Sequence, residues 1–264
     1  MNQFPPLPFL SRNRSFRLGV TSYVHPADIT ANVRALAPFV DDIELVFFES
    51  HDLSTLPKAC EIEELRQLAI THDLTYTIHF PTDKALGSPN REERENALST
   101  ALHIIELCRP LTPYGWILHI DGIEPTASPI QREAWHRNIT PLLRVLAGIA
   151  DDPTRICVEN LGYPFEWCDP ILTEMPFSTC LDFGHLLQMN YDWRDHVNQW
   201  LQRTRIIHLY GSNNTSRHYS LELTPAPLVQ EFLKAIKFYN GVLTLETFGY
   251  DDTVSSIKRL EECL

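Results

Sequence analysis

The chain has 264 residues, a hydrophobic share of 44% and a formal net charge of −12 at pH 7, with a pI near 5.3. That is length and apolar content enough for one large core, and an acidic balance that disfavours nucleic acid, whose phosphates are gripped by clustered Lys and Arg. No run of about 18 apolar residues occurs, so no segment is expected to span a membrane.

Residues 1–14 are Pro-rich and predict an irregular N-terminal arm; residues 15–264 predict one barrel domain. Beyond the arm, aliphatic runs alternate with amphipathic patterns. The predicted strands are Arg17–Tyr23, Ile43–Glu49, Thr75–Phe80, Gly115–Asp121, Arg155–Leu161, Phe177–Asp182, Ile206–Tyr210 and Gly241–Thr247. Helices are predicted near Ala27–Leu36, Glu61–His72, Arg91–Arg109, Ile130–Ala150, Pro164–Thr173, Trp193–Arg203, Pro225–Tyr239 and Thr253–Cys263. Alternation of this kind argues for a parallel sheet, and eight repeats argue for closure, giving an α/β fold with a single (β/α)8 TIM barrel. The competing open, doubly wound sheet would gather its functional groups at one crevice.

Six of the strand runs end instead on a metal-ligand side chain: His79 in TYTIHFP, His119 in WILHID, Glu159 in ICVENLG, Asp182 in STCLDFGH, His208 in IIHLYG and Glu246 in LTLETF. Their separations of 40, 40, 23, 26 and 38 residues match a strand–helix repeat. The side-chain parity agrees. The residue before each ligand (Ile78, Leu118, Val158, Leu181, Ile207, Leu245) is a large aliphatic that can pack under covering helices. The residue two before (Thr77, Ile117, Cys157, Cys180, Ile206, Thr244) is small or branched and suits an interior layer. One His or Glu near a strand end is ordinarily a structural polar group; six in one register predict a metal site at the barrel mouth.

Three His and three carboxylates without a thiolate suit Zn, Mn, Fe or Co, and exceed the three protein ligands of a typical single catalytic zinc. Two divalent metals are therefore expected, with Glu159 as the bridge. His79 and His119 complete one site, and Asp182, His208 and Glu246 the other. Two metals about 3.5–4 Å apart can activate water and clamp the oxygens of a phosphodiester. His185, three residues after Asp182, and His218, in SNNTSRHYSL, extend the set toward a third metal or the substrate, and Arg217 could fork onto phosphate. Glu44 and Glu49 in IELVFFES are less clear: Glu49 could approach the mouth or equally end the strand in solvent, and Glu44 is given no role. The aromatic loops GYPFEW, NYDW and FGY could line a pocket for a planar ligand or simply pack. The remaining histidines (His25, His51, His72, His103, His136, His196) read as surface or packing residues.

Six cysteines without a CxxC pair read as reduced core thiols. The opening MNQFPPLPFLSRNRSFR has no apolar stretch long enough for a signal peptide. Both point to the cytoplasm; the oligomeric state is left open.

At ENLG, LDFGH, IHLYG and LETF the chain resembles the xylose-isomerase-like barrel superfamily, which contains endonuclease IV-type apurinic endonucleases and sugar epimerases such as tagatose 3-epimerase. Both branches use the Glu–Asp–His–Glu set matched by Glu159, Asp182, His208 and Glu246. The endonuclease branch adds histidines after the third and fourth strands, matched by His79 and His119, and an Asp-x-x-His, matched by Asp182 and His185. Of its Asp-Arg-His only Arg217 and His218 remain, with Ser216 in the Asp position. In the epimerases, glutamates ending strands five and eight shuttle protons about one metal, so Glu159 and Glu246 would be the catalytic pair. The segment LGVTSYVHPADITANVRALAPFVDDIELVFFES is similar to the cobamide-remodelling phosphodiesterases of this superfamily.

The resemblance implies a metal-dependent phosphodiesterase that hydrolyses the nucleotide-loop phosphodiester of cobamides, with His185 and Arg217 beside the metals as phosphate contacts. The alternative is a sugar or sugar-phosphate isomerase/epimerase using one divalent metal and Glu159 and Glu246. A corrinoid- or sugar-binding barrel without catalysis and an apurinic endonuclease rank below these.

Overall fold

Eight parallel strands, each hydrogen-bonded to the next and β8 back to β1, close a barrel in simple chain order. The computed structural model describes residues 4–11, 14–47, 56–212 and 218–264. The strands are β1 (Arg17–Thr21), β2 (Asp42–Val46), β3 (Thr75–His79), β4 (Gly115–Leu118), β5 (Ile156–Glu159), β6 (Ser178–Asp182), β7 (Thr204–Leu209) and β8 (Val242–Leu245). Between and after them lie α1 (Ile29–Leu36), α2 (Ala59–His72), α3 (Arg91–Cys108), α4 (Pro129–Ile149), α5 (Asp169–Glu174), α6 (Phe183–Gln188), α7 (Trp193–Trp200), α8 (Ala226–Ala235) and α9 (Tyr250–Cys263).

Local signals start these helices. Asp28 accepts from the Ala31 amide to cap α1 and Asn90 from the Glu92 amide to cap α3. Ser128 and Gln131 form a reciprocal capping box before α4, with Pro129 at its first position. Residues 4–11 form neither strand nor helix, yet Leu7 and Leu10 are buried, and Phe4 stacks on His25 at 4.4 Å.

The strand parity holds through the barrel. Ile78, Leu118, Val158, Leu181, Ile207 and Leu245 all join the large core between strands and helices. Ile117, Cys157, Cys180 and Ile206 form a separate apolar cluster inside the barrel. The inward positions on the opposite side are polar: Thr21, Asp42, Glu44, Thr77 and Thr244 are fully buried. The interior is thus half apolar and half polar beneath one mouth.

Several boundaries differ from expectation. β4 and β8 stop at Leu118 and Leu245, so His119 and Glu246 are the first residues off the ladder. Past the ligands the chain turns out to reach its helix; the Asp121 carbonyl, for example, accepts from the Trp135 indole (3.0 Å) rather than from a strand. The expected helix Pro164–Thr173 opens as a 3-10 turn, Phe165–Cys168, and becomes α-helical from Asp169, where Pro170 sits in the first turn that tolerates its missing N–H. Helix α6 was not expected at all. Cys60 is exposed, contrary to the expectation of core thiols, whereas the other five cysteines are free and buried. No helix among the described residues is long and apolar enough to cross a membrane.

Ile207 is fully buried in the shell between β7 and the helices. Ile207→Ala is expected to lower the unfolding free energy by about 2–5 kcal/mol, read by chemical denaturation; an unchanged midpoint would contradict this packing.

Candidate metal centre

Closure brings the six strand-end side chains to one point at the mouth. His79 ends β3, Glu159 ends β5 and Asp182 ends β6; His208 is next to last in β7; His119 and Glu246 directly follow β4 and β8. Glu159 lies at the hub, and its two oxygens face different partners. Oε2 is 3.0 Å from His119 Nε2 and 3.5 Å from His79 Nε2. Oε1 is 3.3 Å from His185 Nδ1 and 3.7 Å from His208 Nδ1. His208 Nδ1 is also 3.0 Å from Glu246 Oε2 and 3.7 Å from Asp182 Oδ2. The ring of His79 is fixed by Nδ1 donating to the Phe80 carbonyl (2.8 Å), which leaves Nε2 turned toward Glu159.

Both later histidines join this set. Asp182 caps α6 by accepting from the His185 amide (2.6 Å), and that single turn folds the His185 ring back to within 3.2 Å of Asp182 Oδ2. His218 Nδ1 is 3.3 Å from Glu246 Oε2, with its ring stacked on Tyr210 at 3.9 Å. Arg217, Ser216 and Glu49 lie outside the described residues. Two neighbours have no role assigned from sequence: Asn160, which carries no signal, and Glu44, which the sequence leaves open. Asn160 clamps Asp182 through both backbone groups, donating to its carbonyl (2.9 Å) and accepting from its amide (2.7 Å). Glu44, in mid-strand on β2, reaches His208 Nε2 at 3.0 Å.

The donors suit divalent cations. Ligand atoms of His79, His119 and Glu159 lie within 4.8 Å of one another, as do those of Glu159, Asp182 and His185. Asp182 Oδ2, His208 Nδ1, Glu246 Oε2 and His218 Nδ1 are buried without an aligned hydrogen bond and approach only ionisable groups of the centre, as expected of atoms that share a cation. Cys180 Sγ also lies near Glu159 and His208. Burial pushes that thiol well up, which disfavours the thiolate a metal would need. The centre opens into a cavity of about 630 Å³ lined also by Phe47, Phe80, Tyr219 and Phe248. The loops GYPFEW and NYDW line a second cavity, of about 450 Å³, behind Asn160 and Leu186.

The sequence profile of the xylose isomerase-like TIM barrel family matches residues 36–263. The chain belongs to that family. No curated protein sequence matches it significantly. Among solved structures, a D-tagatose 3-epimerase-like protein is similar at 20% identity and TM-score 0.75, covering 94% of this chain and 97% of that one. Endonuclease IV from Thermus thermophilus matches at 21% identity and TM-score 0.70, covering 94% and 98%. The IOLI protein with a binding zinc atom matches at 16% and 0.65, covering 94% and 96%. At these identities the likeness is one of fold. The structures that share it thus include an epimerase-like protein, an endonuclease and a protein with a bound zinc atom.

In this xylose isomerase-like barrel the charges are mutually held. Burial works against the His79 imidazolium, but the Glu159 hydrogen bond and the charges of Glu44, Glu159 and Glu246 outweigh it and raise the ring to about 9. His185, opposed by burial and supported by Asp182, Glu159 and Glu246, rises to about 10. Burial would raise Glu246, yet His208 and His218 carry it down to about 2. Without a cation, protons on histidine therefore balance the carboxylates. A divalent ion must displace them, because only the neutral ring binds metal.

Manganese affinity is accordingly expected to climb with pH from neutrality up through the His79 value of about 9, with protons released on loading at pH 7. Calorimetry in buffers of different ionisation enthalpy checks both. Affinity independent of pH, with no proton release, would contradict this charge balance.

Proposed function

We propose that the chain is a metal-dependent phosphoric diester hydrolase acting on a nucleotide-like small molecule, the nucleotide-loop phosphodiester of a cobamide. The observation that carries the reading is the two-sided use of Glu159: His79 and His119 converge on Oε2, and His185 and His208 on Oε1. One buried carboxylate between two donor clusters is the layout of a bridged two-metal site. A one-metal epimerase has no need of His79 and His119 as ligands.

In this scheme His79, His119 and Glu159 hold one divalent ion, and Glu159, Asp182, His208 and Glu246 the second. Ions bound there supply Lewis acidity, acidifying water and polarising phosphoryl oxygen. The protein's own groups do the rest. His185 and His218 line the cavity and donate to phosphate oxygens, with Arg217 as the forked cation. Phe80 and Phe248 give the cavity apolar wall against which a substrate displaces water. Water adds to phosphorus, the ester oxygen leaves with a proton, and a phosphomonoester and an alcohol result. Five free, buried cysteines suit a reducing compartment such as the cytoplasm.

The second reading, a sugar isomerase/epimerase, is supported by Glu246 and Glu159 both approaching His208 Nδ1, at 3.0 and 3.7 Å. Such a pair about one metal can take up and return a substrate proton.

Incubation of the metal-loaded protein with adenosylcobalamin is expected to release the lower-ligand nucleoside and leave a phosphate-bearing corrinoid. His79→Ala is expected to lower that turnover by more than the roughly 10–100-fold that loss of an outer partner costs. Full turnover in His79→Ala would contradict the two-metal scheme. Epimerisation of a ketose that survives His79→Ala and fails in Glu246→Gln would favour the second reading.

A further inference from the structure

His208 uses both faces of its ring, and the two faces meet different kinds of acid. Nδ1 looks into the centre, toward Glu246, Glu159 and Asp182. Nε2 looks away from it, to Glu44 Oε2 at 3.0 Å. Glu44 sits on β2, a strand that pairs with β1 and β3 and not with β7, so its side chain spans the barrel lumen to reach the ring. Both residues are 0% exposed. A carboxylate oxygen accepts and does not donate, so this contact places a proton on Nε2. In the neutral ring the proton on Nε2 leaves Nδ1 as a bare lone pair aimed at Glu159, Asp182 and Glu246.

We propose that Glu44 is a positioning residue of the metal centre: it fixes the tautomer and the tilt of His208 so that Nδ1 alone is offered to the ion. The inference rests on the metal-binding reading of the site and is independent of which reaction the site performs. Glu44, His208 and Glu246 offer ligand atoms within 4.8 Å of one another, but Glu44 meets the ring at Nε2, whereas Glu159 and Asp182 face Nδ1. Its role is the outer partner of a carboxylate–histidine–metal arrangement. The surroundings suit such a residue. Glu44 belongs to the polar half of the interior, where Thr77 pairs with it in register across β3 and Thr244 pairs in register with His208 across β8. Each of these threonines is fully buried. An apolar residue at position 44 would leave Nε2–H buried without an acceptor.

The test compares Glu44→Ala and Glu44→Gln with the unsubstituted chain, using zinc titration, bound zinc per chain and the ring N–H signals of ¹⁵N-labelled, zinc-loaded protein. Glu44→Ala is expected to weaken zinc binding about 10–100-fold and to abolish the slowly exchanging His208 Nε2–H signal. Glu44→Gln, whose amide oxygen still accepts from Nε2, is expected to recover most of the affinity and the signal, with zinc per chain unchanged. Equal zinc affinity and an unaltered Nε2–H signal in Glu44→Ala would overturn the inference. So would loss of a zinc from Glu44→Gln at saturation, which would make Glu44 a ligand. An unsubstituted chain that binds no divalent ion would overturn the metal centre as well, whereas unchanged affinity in Glu44→Ala alone overturns only the role of Glu44.

Discussion

Glu159 is almost fully buried, and both of its oxygens lie against imidazole rings, three from the ends of β3, β4 and β7 and one, His185, from α6. A carboxylate in that position is tolerable only where positive charge meets it. Here the charge comes from His79, His185 and His208, which rise above their usual range, while Glu159 and Glu246 fall below theirs. Barrel closure makes the arrangement possible, because each strand delivers one ligand to the same lip. Neighbouring polar side chains then hold the ring in place, Asn160 through the Asp182 backbone and Glu44 from the polar half of the interior through His208.

The same constraint accounts for the reach of the chemistry. A set of mixed His and carboxylate donors with orphaned buried atoms is a poor structural core and a good cation site. The fold is shared by an epimerase-like protein and by an endonuclease. What separates the phosphodiesterase reading from the epimerase reading is whether His79 and His119 take a second ion on the far side of Glu159.

Much of this was legible in the sequence because a strand has period two and a barrel has one functional lip. Ile78, Leu118, Val158, Leu181, Ile207 and Leu245 entered the outer core, and Ile117, Cys157, Cys180 and Ile206 the inner one, as the alternation implies. Glu44 was not legible. It lies in the middle of DIELV, where nothing local tells a lumen-spanning acid from a solvated one, and its partner is 164 residues away. Helix α6 was hidden for a related reason: Asp182 is at once the last residue of β6 and the cap of α6, so the strand signal masked the helix start. Strand ends ran long because apolar residues just past the ligands, such as Phe80, Ile120, Leu161 and Tyr210, keep a strand-like composition while their backbone lies outside the strands.

Anomalous diffraction from crystals loaded with manganese or zinc tests the proposed bridging role of Glu159 most directly. Two peaks are expected, one among His79, His119 and Glu159 and the other among Glu159, Asp182, His208 and Glu246. A single peak, with His79 and His119 bound to no ion, would contradict the two-metal account and leave the one-metal chemistry of the epimerase reading.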